Sequence, residues 1–218
     1  MVSSGQLVDE VARLIAYPRN AVLYPYRVLR ENGAVTKGGR GRSAANVTPR
    51  DAASLLIALA GASQIKDTFA AWQDYSGLCV QKAQGGFPKG DRKPEWTAPA
   101  LPHLAALPAG HSFLDALTAL IESAADGSLA ALVGARDGRE ILGGGVSVDV
   151  HGPWPQAHIR VFCSDPQDSW AEALSYHEPI EDLTEWSKDM QSRGYGRLHE
   201  HRYFNEDIVF AIADLISS

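Results

Sequence analysis

The chain has 218 residues, 45% of them hydrophobic, and a formal net charge of −6. That length suits one or two domains, and the acidic balance excludes a protein that coats nucleic acid over its whole surface. No run of about 18 apolar residues is present, the opening MVSSGQLVDE lacks the basic-then-apolar order of a secretory signal, and Cys79 and Cys163 form no CxxC pair; a cytoplasmic protein with reduced thiols and no membrane span is expected.

The charge is unevenly spread. Residues 1–50 carry eight Lys/Arg against three Asp/Glu, a balance of +5, and residues 51–218 carry twelve against twenty-three, a balance of −11. Such a split points to a basic binding module joined to an acidic body.

In chain order, residues 6–16 place Leu7, Val8, Val11, Leu14 and Ile15 at helical spacing, with Ser3 and Gln6 spaced as a capping box, and Tyr17-Pro18 ends the pattern. Residues 20–32, NAVLYPYRVLREN, form a second amphipathic pattern closed by Gly33. Pro25 either kinks that helix or begins a shorter one. Arg27 and Arg30, three apart, share one helical face. The stretch TKGGRGRSAANVTP, residues 36–49, then sets glycines among Lys37, Arg40 and Arg42. Thr48, Pro49 and Asp51 mark the start of a helix over 49–62 whose Ala/Leu composition predicts deep burial, and helical spacing continues more weakly through 64–82.

Residues 84–112 hold five prolines and four glycines and read as a linker or crossover. Beyond them, 112–123 is an amphipathic helix. GVSVDVH (145–151) and AHIRVFC (157–163) alternate as strands, and GPWPQ between them predicts a β-hairpin. Residues 205–217 form a last helix capped by Asn205. The predicted fold is α+β: a helical, basic, winged helix-turn-helix-like module over 1–83, the linker over 84–112, and a smaller mixed α/β half over 113–218 that mediates self-association.

The order helix, turn, helix, glycine-rich basic loop, helix suits DNA binding. A helix enters the major groove while a basic loop reaches phosphates or the minor groove; glycines allow close approach and arginines grip phosphate oxygens or guanine edges. Arg27, Arg30, Lys37, Arg40 and Arg42 are the expected DNA-binding residues.

Residues 26–61, about one sixth of the chain, carry R-x-LRE-x-G, then GGRGR, then TPRDAA. In that order they resemble the N-terminal segment of uncharacterised proteins encoded by phages and prophages of proteobacteria. The resemblance implies a mobile-element origin and carries over no catalytic residue. Pro25, inside the helix that would read DNA, departs from the usual helix-turn-helix geometry.

Other signatures are missing. GGRGRSA lacks the GK[ST] ending of a P-loop, no GxSxG elbow occurs, and no HExxH occurs. His199-Glu200-His201 would diverge on a helix and reads as a surface pair. Asp149 and His151 share a strand face with Arg160 near them, which reads as a solvated sheet face. RGYGRLHEHRYF (193–204) interleaves Arg193, Arg197 and Arg202 with aromatics, a composition that can bind single strands and reads here as a packed loop. No enzyme, metal or cofactor is therefore expected. The expected function is a DNA-binding protein, a regulator or packaging component, acting as a homodimer on double-stranded DNA. The alternative is an anti-defence protein that inhibits a host protein through its acidic surface.

Overall fold

A computed structural model describes residues 2–37, 46–85, 101–133, 144–164, 169–179, 184, 185, 188 and 200–218. Among them run eight α-helices and a five-stranded antiparallel sheet, an α+β fold.

The first helix, α1 (Ser4–Leu14), begins in the predicted capping box, with the Ser3 side chain accepting from the Gln6 amide. Helix α2 (Arg19–Glu31) runs unbroken through Pro25. Both end alike: Tyr17 N–H donates to Ala12 O (3.0 Å) and Ala34 N–H to Leu29 O (2.9 Å), a six-to-one closure that places Ala16 and Gly33 in the left-handed region at φ 53° and 77°.

Helix α3 (Pro49–Gly61) opens on a capping box of Thr48 and Asp51, and Asp51 through Ala58 are all buried. It is the hub of the helical layer, packed on α2, on α4 (Thr68–Ser76), on α6 (Phe113–Ala125) and on the C-terminal helix α8 (Glu206–Ser217). Arg50 on α3 and Asp115 on α6 bond at 2.8 Å. Two short helices complete the set, α5 (Pro102–Ala105) and α7 (Ser128–Val133).

The weak helical pattern over 64–82 divides: a 3-10 turn at Ile65–Asp67, then α4, then strand β1 (Val80–Gly85). The predicted hairpin forms as β2 (Gly145–Gly152) and β3 (Gln156–Ser164). Strand β4 (Ser169–His177) and strand β5 (Glu200–Asn205) had no strand expectation, and the order is β1-β4-β3-β2-β5. The stretch before α8, expected as a packed loop, ends in β5, which pairs antiparallel with β2 and so lies beside a strand some fifty residues earlier in the chain.

Alternation sorts the sheet's faces. Val146, Val148, Val150, Ala157, Ile159, Val161, Leu174 and Tyr176 are buried on the face that α3 and α8 contact. The same apolar cluster runs from Val2 to Ala213, so residues on both sides of position 83 share one core. The 84–112 stretch is described only at Gln84, Gly85 and from Leu101 onward, where Leu101 and Leu104 are buried.

Candidate functional site

The solvent side of α2 is basic. Its buried stripe is Val22, Pro25, Tyr26 and Leu29, which leaves Arg27 and Arg30 exposed together with Lys37 just past the helix. The N-terminal arginines divide into two groups. Arg13 pairs with Glu10, Arg19 with Asp9, and Arg50 with Asp115. Arg27, Arg30 and Lys37 have no carboxylate partner among the described residues. The Arg27 guanidinium instead lies 6.0 Å from the centre of the half-exposed Tyr24 ring. Arg40 and Arg42 lie outside the described residues.

Both ends of the glycine–arginine stretch are tied to one buried side chain. Asp51, 3% exposed, accepts from the Thr36 amide at 2.6 Å through one oxygen. Its other oxygen accepts from the Thr48 amide and hydroxyl, each at 2.9 Å. The carboxylate thus holds the entry and exit of residues 37–47 together and caps α3 as well.

A second cluster lies on the sheet face opposite the helices. Asp149, only 2% exposed, accepts through Oδ2 from the Ser147 hydroxyl (2.7 Å) and from Arg160 Nη2 (2.7 Å) and Nε (3.2 Å). His201 Nε2 stands 2.8 Å from Oδ1. Burial works to raise the Asp149 pKa, but the hydrogen bonds from Arg160, Ser147 and His201 outweigh it and hold the carboxyl below its usual range. The rings of His151 and His201 stack at 4.4 Å with 6° between their planes, and His158 meets His151 edge-on at 5.3 Å. Burial, and next the neighbouring His151, push the His158 imidazole down. His158 Nδ1 lies 3.0 Å from the Ser175 hydroxyl. Between α4 and the ends of β2 and β5, a cleft of about 340 Å³ is lined by Asp67, Asp74, Tyr75, Glu200 and Arg202 among others.

No family model matches the chain, and it has no match among curated proteins or solved structures. The functional reading rests on the residues themselves.

The structure joins Asp149, His151 and Arg160, as strand spacing suggested, but the cluster is more than a solvated face: its carboxylate is buried and fully engaged. His201, read from the sequence as one of a surface pair with His199, is the residue whose place in this cluster sequence reasoning missed. On a helix it would diverge from its neighbours, whereas on β5 it sits directly opposite His151. HEHRYF carries polar residues on both faces and no apolar alternation, so the sequence held no local signal for this strand. His199 lies outside the described residues.

Proposed function

We propose that the protein binds double-stranded DNA through the exposed face of α2, with Arg27, Arg30 and Lys37 on phosphates and the Arg40–Arg42 segment extending the contact. The observation that carries this reading is the division among the N-terminal cations. Those facing α1 and α6 pair with carboxylates, and Arg27, Arg30 and Lys37 have no carboxylate partner among the described residues. Cations gathered on one such surface provide the electrostatic attraction that dominates affinity for a polyanion. The four residues between α1 and α2 make the short connection such a module uses. The reading assigns the groove to α2, because α3 is buried along most of its length. A regulator or packaging component of phage type, acting as a dimer on two half-sites, is the function that follows.

A salt titration of binding to duplex DNA tests it, comparing the full-length protein with Arg27→Glu/Arg30→Glu. Each lost phosphate contact removes roughly 0.9 from the slope of log affinity against log salt, so the double variant should flatten it by about 1.8. Equal slopes, or no binding by the wild type at low salt, would overturn the proposal.

A further inference from the structure

Asp149 is an unusual carboxylate. It sits on the sheet face turned away from the helices, yet it is 2% exposed. The Ser147 hydroxyl and the Arg160 guanidinium both hold Oδ2. Oδ1 is turned the other way, toward His201, and His151 stacks on that imidazole from the next strand. One donor atom from each of Asp149, His151 and His201 lies within 4.8 Å of the others.

We propose that Asp149, His151 and His201 bind one divalent transition-metal ion, leaving coordination positions open on the solvent side of the sheet. Two imidazoles and one carboxylate are a donor set that suits zinc, iron(II) and cobalt(II), and with three protein ligands it leaves room for water or a substrate. Two ligands at about 2.1 Å from one ion stand about 3.0 Å apart in octahedral and about 3.4 Å apart in tetrahedral geometry. His201 Nε2 and Asp149 Oδ1 stand at 2.8 Å, so a small outward shift of the His201 side chain opens the pair to an ion without moving either strand. The half-buried His151 ring, stacked on His201, turns to bring its nitrogen from within 4.8 Å of the other two donors to bonding distance.

Ser147 and Arg160 then act as outer-shell partners. By occupying Oδ2 they fix the carboxylate and direct Oδ1 to the ion as a single ligand. The guanidinium also offsets the carboxylate's charge, which favours a site weaker than the all-thiolate structural zinc centres.

The test is a titration of the full-length, chelator-treated protein with Co²⁺, read by visible absorption and by calorimetry. One ion per chain is expected, with the absorption of nitrogen and oxygen ligation. His201→Gln and His151→Gln should each weaken binding by more than about tenfold, since even outer-shell partners are worth ten- to hundredfold. His177→Gln, a substitution outside the cluster, should leave it unchanged. Asp149→Asn would strand Arg160 and risks misfolding, so the two histidine variants carry the test. A wild type that takes up no Co²⁺ at millimolar concentration would overturn the site. So would uptake equal in all variants, which would mark adventitious surface binding.

Discussion

The Tyr75 hydroxyl donates to the carbonyl oxygen of His151 at 2.7 Å, joining α4 to the strand that carries the histidine cluster. Tyr75 is 5% exposed. Burial, then the charges of Asp74 and Glu200, push its phenol up to about 12. Tyr75→Phe keeps the ring and removes the bond, so a loss of about 1 kcal/mol is expected. The phenol also sets an alkaline limit. Below about pH 10 it is protonated in both folded and unfolded chains and stability is flat. Between about 10 and the folded value only the unfolded chain releases the proton, and stability falls by up to ~1.4 kcal/mol per pH unit. Urea melts across pH 8 to 12 should show that decline in the wild type and a shallower one in Tyr75→Phe. Parallel curves would show that another group causes it.

Gly61 closes α3 against the same ring. A Cβ placed there would lie 2.7 Å from Tyr75 Cδ2 and 2.8 Å from Cε2. Alanine is intrinsically the better helix former, by about 1 kcal/mol, yet overpacking costs about 1–3 kcal/mol. Gly61→Ala should therefore destabilise. In a Tyr75→Ala background, where the obstacle is gone, the same change should become neutral or favourable. Additive effects of the two substitutions would contradict this packing.

The longer helices α1, α2, α3, α6 and α8 and the hairpin were legible because their signals are local, whereas the short α5 and α7 were not. Ser3–Gln6, Thr48–Asp51 and Ser112 are caps within three residues of the turns they satisfy, and Val146, Val148 and Val150 alternate cleanly over a buried face. Strand β5 was not legible. It is an edge strand whose only buried residue is Phe204, so no alternation marks it. The candidate site shares that limit. Asp149 and His151 are two apart on one strand and could be placed on one face, but His201 joins them through a pairing that only the tertiary fold supplies. The continuous run of α2 through Pro25 shows the reverse effect, packing overriding a local break signal.

Ala16 and Gly33 occupy equivalent positions past α1 and α2, at φ 53° and 77°. The left-handed conformation disfavours a side chain by roughly 1–2 kcal/mol, and glycine is its ordinary occupant. Ala16→Gly should raise stability by about 0.5–1 kcal/mol despite the greater freedom it gives the unfolded chain. Gly33→Ala should lower it by a similar amount, although open space surrounds the added methyl. Thermal melts of the two variants should shift in opposite directions. A fall in both would mean that the end of α1 does not hold that backbone conformation in solution.

Asp51 gives the sharpest distinction between a structural anchor and a DNA contact. Its two oxygens accept backbone N–H groups from opposite ends of the glycine–arginine stretch, Thr36 and Thr48. Asparagine preserves the shape, but its NH₂ must face one of those N–H groups whichever way the amide is turned. A buried donor left without an acceptor costs about 1–3 kcal/mol. Thr48→Ala, which loses only the capping hydroxyl, should cost about 1 kcal/mol. Asp51→Asn is expected to be the more damaging of the two in urea melts. It should also speed amide exchange at Thr36 and Thr48 relative to the rest of α3, because the anchor that holds both positions is gone. Since it removes no cation, it should leave the salt slope of the proposed DNA binding unchanged. A steeper or flatter slope in Asp51→Asn would mean that the proposed phosphate contacts depend on this anchor and are not confined to Arg27 and Arg30 of α2.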